Sequence, residues 1–186
     1  MEPPLVSGGL RSDFNAQTMF DLEEPLAFFI TFRCYGTWLH GDERGSVDRN
    51  NNVYGTPTIP GNKKWPDVSV ANLKHPPVNL DLHMRRSVEF AIIDTCKRRE
   101  WDRYALNVRT NHAHVVLRAP RTSASKVLHA LKANATRQMR EDGCWTGGHS
   151  PWSDRGSKRK LWNKGAVDAA IDYVLYGQGD ELPDFD

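Results

Sequence analysis

The chain has 186 residues, of which 39% are hydrophobic and 26% charged, with a formal net charge of +2. That length suits one domain with a real core, and the nearly balanced charge excludes a general polycation, so any affinity for nucleic acid has to come from local placement of Lys and Arg. Three cysteines, Cys34, Cys96 and Cys144, are odd in number and lack metal-like spacing, which argues against a secreted disulfide scaffold and points to a reducing cytoplasm.

Residues 1–24 lack both a basic-then-apolar targeting pattern and periodicity, and read as a disordered leader. No segment approaches the ~18 consecutive apolar residues that span a bilayer, so no membrane role is expected. A domain over 25–180 is expected to follow, with a short tail at 181–186. The aromatic and β-branched run Leu26–Leu39, "LAFFITFRCYGTWL", predicts a central strand. Residues 41–78 collect Gly, Pro, Asn and Lys without periodicity and read as a long irregular insertion. In the segment "GTWLHGDERG" that leads into it, His40, Asp42 and Glu43 lack paired ligand spacing, so Trp38 is expected to pack and Asp42 to turn the chain.

From Leu80 to Trp101 the apolar residues Leu82, Val88, Ala91, Ile92 and Cys96 recur at helical spacing. "YALNVR" and "HAHVVLRA" then flank Thr110-Asn111, the pattern of a hairpin with a two-residue connection. Ser123 or Ser125 can cap a second helix running to Glu141, which Gly143 to Ser157 breaks. A third helix, "AVDAAIDYVLY", carries Val167, Ala170, Ile171, Val174 and Leu175 on one stripe. Strand, helix, hairpin and two helices predict an α+β fold: an antiparallel sheet with helices packed on it.

His112 and His114 lie two apart on a predicted strand, so their rings share one face and can address one cation. The pattern alone is equally that of two histidines on a sheet. Histidine-triad hydrolases would need a third histidine where Val116 stands. Tyr173 falls off the apolar stripe of the third helix, so its phenol projects sideways, either as a boundary residue or as a nucleophile near a bound phosphate.

Three segments together carry a resemblance. "TNHAHVVL", "LWNKGAV" and "AAIDYVLYGQ" resemble the metal-binding strand, the lead-in and the nucleophile helix of the single-tyrosine HUH transposases of small insertion sequences and the REP-associated tyrosine transposases. "FFITFRCYGTW" is similar to the first strand, so the likeness spans about residues 26–178. It implies a ferredoxin-like HUH endonuclease fold that binds single-stranded or hairpin DNA, often as a homodimer. It also implies Mg²⁺ or Mn²⁺ on His112 and His114, with cleavage by Tyr173 through a 5′-phosphotyrosine; Tyr176 is the runner-up nucleophile. The family commonly places Gln or Asn four residues after the tyrosine as a third ligand, and here that slot is Gly177. Gln178, Asp180 or water would have to serve, or the site is impaired and the protein is a domesticated hairpin-DNA or RNA binder.

Arg155, Lys158, Arg159, Lys160 and Lys164 crowd one segment together with Trp152 and Trp162, a combination of phosphate-neutralising and base-stacking groups. Lys132 and Arg137, with Lys126 and Arg140, offer a second contact on the preceding helix. A small metal hydrolase acting on nucleotides is a third reading, distinguished by turnover without a protein adduct.

Overall fold

The computed structural model describes residues 24–37 and 73–179. Most of the expected leader, much of the insertion and the tail lie outside the described residues, and with them Trp38, His40, Asp42, Glu43 and Asp180. The elements are β1 (Ala27–Cys34), α1 (Leu82–Arg98), β2 (Asp102–Val108), β3 (His112–Arg118), α2 (Ala124–Glu141), β4 (Trp152–Leu161) and α3 (Lys164–Tyr176). The sheet order is β2-β3-β1-β4, antiparallel throughout, which is the expected α+β architecture with one strand more than the sequence suggested.

That extra strand, β4, is a correction to the loop expected between the last two helices. "WSDRGSKRKL" buries only its ends, Trp152 and Leu161, and its charged middle has no alternation. It is a strand because β1 pairs with it from Ala27↔Leu161 to Cys34↔Trp152, and a tertiary ladder leaves no local signature. The expected hairpin forms: the Arg109 N–H donates to the His112 carbonyl at 2.8 Å across Thr110-Asn111.

Alternation along the strands divides the molecule into two layers on the sheet. Ile30, Phe32, Val115 and Leu117 face α1 and α2, meeting Val88, Ile92, Val127, Leu131 and Met139 in the main core. Asp81 caps α1 by accepting from the Met84 N–H at 2.8 Å, and Ser123 caps α2 through the Lys126 N–H. Ala27, Ala105, Val116 and Leu161 face the other way, where Ala170 and Val174 of α3 cover them.

This second cluster is small, and Leu175, expected in the buried stripe, is 45% exposed because the helix presents only a narrow strip to the sheet. Asn163 caps α3, and the Asn107 side chain donates to the Val174 carbonyl at 3.0 Å, tying the helix to β2. α3 therefore lies over β2 and β3 and only its margin reaches β4, so among the described residues no helix covers the β1–β4 half of this face. The three cysteines are free; burial pushes the Cys34 thiol up to about 12 and Cys96 to about 11.

Candidate active site

His112 and His114 stand on the α3 face of β3 with ring centroids 4.6 Å apart and planes at 72°. Each has its Nδ1 engaged by a neighbour. Thr31, the register partner of His114 on β1, places Oγ1 2.7 Å from His114 Nδ1, and Asn111 in the hairpin turn places Oδ1 2.6 Å from His112 Nδ1. A carbonyl oxygen only accepts, so His112 Nδ1 carries the proton and Nε2 presents its lone pair. His114 is 7% exposed, and burial, reinforced by nearby His112 and Arg33, pushes its pKa down to about 3. It is thus neutral across the physiological range, the form in which imidazole ligates a metal.

Tyr173 precedes the buried Val174 on α3, which turns its ring sideways from the packing strip toward the histidines. Its centroid is 5.7 Å from His114 and 6.0 Å from Phe29, both edge-on, and the residue is 48% exposed. Tyr176 is 80% exposed and does not line the cleft at Tyr173.

Gly177 has a steric reason. A Cβ there would come within 2.8 Å of Tyr173 Cδ2 and of the Tyr173 carbonyl oxygen, so a side chain in the family's ligand slot would displace the tyrosine. Gln178 instead folds back: its Nε2 donates to the Tyr173 carbonyl at 3.1 Å, which turns Oε1 toward His112 Nε2 at 3.3 Å. Gln178 also hydrogen-bonds His114, partly opposing the depression of its pKa.

Two lone pairs, His112 Nε2 and Gln178 Oε1, therefore face each other. Ligand atoms about 2.1 Å from a shared cation would be separated by roughly 3.0 Å at a right angle and roughly 3.4 Å at a tetrahedral one, so the observed spacing fits a divalent ion between them. Among the described residues no group of three or more His, Cys, Asp or Glu converges. Two imidazoles and one amide carbonyl leave coordination positions for phosphate oxygens and water, as Mg²⁺ or Mn²⁺ requires.

The adjoining cleft encloses about 490 Å³ and is lined by Phe29, Thr31, Arg33, His114, Ser157 and Arg159 from the sheet and by Tyr173 with three alanines from α3. Sequence reasoning overlooked Thr31, Arg33 and Ser157. The available signal was polarity at alternate positions of the otherwise apolar β1, where Thr31 and Arg33 interrupt "FFITFRC" on one face.

The cationic segment divides between the two faces of β4. Ser157 and Arg159 share the α3 face with Leu161, whereas Lys158 and Lys160 fall in step with Gly156, whose added Cβ would meet Leu128 of α2 at 3.1 Å. Of the residues expected to bind DNA, only Arg159 lines the cleft. The Lys160 ammonium lies 5.5 Å from the Trp162 ring centroid, Lys164 pairs with Asp168 at 2.9 Å and Arg137 with Glu141 at 3.6 Å. Arg155 is exposed. Lys132 donates to the Ser153 and Arg155 carbonyls at 2.6 and 2.9 Å, bracing the irregular start of β4, and burial pulls its ammonium down to about 8.

The family model described as "Transposase IS200 like" matches residues 70–165, more than half of the chain, including both histidines but ending before Tyr173. No curated protein matches. Among solved structures, a REP-associated tyrosine transposase bound to a REP hairpin is similar at 13% identity and a TM-score of 0.47, over 81% of this chain and 65% of that one. A protein from Deinococcus radiodurans R1 named as a transposase is similar at 12% identity and a TM-score of 0.42, over 83% of this chain and 91% of that one. The chain thus spans 65% of the length of the first. Among the described residues no helix is long and apolar enough to cross a membrane.

Proposed function

This chain belongs to the IS200-like transposase family, and on that premise we propose that it is a divalent-metal-dependent endonuclease and strand transferase acting on single-stranded DNA at or near a hairpin. The observation that carries the reading is the chain of contacts Gln178–His112–His114–Tyr173, whose His114 and Tyr173 line one cleft, with two ligand lone pairs facing each other. Tyr173 is the nucleophile, and His112, His114 and Gln178 are the metal ligands.

Bound there, Mg²⁺ or Mn²⁺ would polarise a phosphate oxygen and stabilise charge on the departing 3′ oxygen. The chain's own residues do the rest. Asn111 holds the His112 imidazole in the tautomer that directs its Nε2 lone pair inward, and the Thr31 hydroxyl anchors the His114 ring at Nδ1. Tyr173 Oη bonds to phosphorus as the P–O3′ bond breaks, its proton passes to solvent at its exposed side, and the 3′ oxygen takes up a proton. The resulting 5′-phosphotyrosine conserves the ester, so a second 3′-hydroxyl can reverse the step and join strands. Phe29, tilted against His114 and edge-on to Tyr173, packs against both rings.

The rival reading, an impaired hairpin-DNA or RNA binder, was motivated by Gly177, and Gln178 supplies the carbonyl that Gly177 lacks. The homodimer implied by the family resemblance belongs to the same proposal. The test uses a pool of labelled hairpin oligonucleotides with randomised loops and flanks, incubated with Mn²⁺ and resolved on denaturing gels. The wild type and Tyr176→Phe should form an SDS-resistant adduct and Tyr173→Phe none. If no oligonucleotide yields an adduct while salt-sensitive binding survives in His112→Ala/His114→Ala, the nuclease reading is lost to the binder.

A further inference from the structure

On the β1–β4 half of the α3 face, the cleft is lined by two arginines that the mechanism does not use. Arg33 stands opposite His112 across β1 and β3, and Arg159 stands opposite Phe29 across β1 and β4, so the two arginines lie at opposite ends of the cleft, with the Thr31 and Ser157 hydroxyls paired between them. Strand rise and spacing place their Cα atoms about 14 Å apart, too far for both to stand over one point unless each leans inward. Arg33, the register partner of His112, lies at the metal end, while Arg159, the register partner of Phe29, lies at the Phe29 and Tyr173 end.

We propose that Arg33 and Arg159 form a phosphate rail: each holds a different backbone phosphate of a single DNA strand, on opposite sides of the linkage presented to Tyr173. Two guanidiniums along the floor of an open cleft suit the repeating charge of a strand better than the single charge of a mononucleotide, and bidentate hydrogen bonding favours Arg in this role. Among the described residues α3 covers β2 and β3, which leaves the lane along β1 and β4 for a strand. Lys158 and Lys160, on the opposite face of β4, do not reach that lane, although they adjoin Arg159 in sequence. The inference rests on the proposed function only in identifying the strand in this lane as the one Tyr173 cuts.

The test measures binding alone, so it is independent of cleavage. Tyr173→Phe protein is titrated with a fluorescent oligothymidylate of about twelve residues, within the usual footprint of single-strand sites. Affinity is followed from about 50 to 200 mM salt, where each lost phosphate contact lowers the slope of log K against log salt by ~0.7 for a single strand. Arg33→Gln and Arg159→Gln should each lose one such increment and together about twice that, Arg33→Lys should restore it, and Lys158→Gln should leave the slope unchanged. Arg159→Gln, away from the β1 core, decides the matter if Arg33→Gln does not fold. Unchanged slopes in folded Arg variants, no binding of the oligomer at all, or a loss confined to Lys158→Gln would each overturn the rail. Absence of a covalent adduct with retained Arg-dependent slopes would count against the nuclease reading and leave the rail standing.

Discussion

Replacing Thr31 by Val isolates one hydrogen bond at the centre of the proposed metal site. The two side chains have nearly the same shape, and β-branching suits β1, so what changes is the Oγ1 that lies 2.7 Å from His114 Nδ1. With His114 only 7% exposed, its ring depends largely on the hydroxyl for a partner at Nδ1. A buried polar group left without a partner costs about 1–3 kcal/mol, so urea unfolding of the metal-free variant should shift to a lower midpoint with an unchanged slope. The same loss frees the ring to turn away from the orientation that aims Nε2 at the metal site. Removing such an orienting partner typically lowers metal affinity by about 10–100-fold. Mn²⁺ titration followed by electron paramagnetic resonance reads that directly. Asn111→Ala should weaken Mn²⁺ binding less, because His112 is only half-buried and solvent can supply an acceptor. A folded Thr31→Val protein that binds Mn²⁺ as tightly as wild type would refute the assignment of Thr31 as the group orienting a metal ligand.

Gly177→Ala tests the steric account of the helix end. The backbone there, φ −92° and ψ 10°, accepts alanine, so the 2.8 Å approach to the Tyr173 ring decides the outcome. Overpacking costs about 1–3 kcal/mol, and a displacement of the order of 1 Å at a nucleophile can cost about 10²-fold in rate. Adduct formation should therefore fall far more than stability does, and equal rates would remove the steric explanation. Acid unfolding in EDTA provides another check. The pKa of His114, 6.5 in the unfolded chain and about 3 when folded, means that the unfolded state takes the proton first. Its contribution is fully present above pH 6.5 and is eroded as pH falls from 6.5 toward 3, by up to about 1.4 kcal/mol per pH unit. His149, lowered by burial and by His75, acts in the same direction. His114→Gln should flatten the profile by one proton in that window; a profile identical to wild type would contradict the burial argument.

Much of the fold could be read because its elements carry local signals. α1 has apolar spacing, the hairpin has Thr110-Asn111 between β-rich runs, α2 has its Ser123 cap, and α3 has a narrow apolar strip. β4 could not be read this way. As an edge strand it buries only Trp152 and Leu161, and its other residues answer to solvent, so nothing in "SDRGSKRK" marks a strand until β1 supplies the ladder. The same alternation divided a cationic run that looks continuous in sequence, leaving Arg159 in the cleft and Lys158 on the far face.

At the site, the chain by itself determined the residue types and their local faces: two imidazoles forced to one side by the period of a strand, and a tyrosine turned off the buried stripe of a helix. Which groups meet was decided only in three dimensions. Thr31 reaches His114 across 83 positions of sequence and Gln178 reaches His112 across 66, because sheet register and the docking of α3 bring them together. The place of Gln178 depends on a contact no spacing rule contains, the close approach of Gly177 to Tyr173, which denies a side chain to one position and leaves the amide to the next. Local periodicity can orient a side chain relative to its own element; only packing between elements can set the distance to its partner.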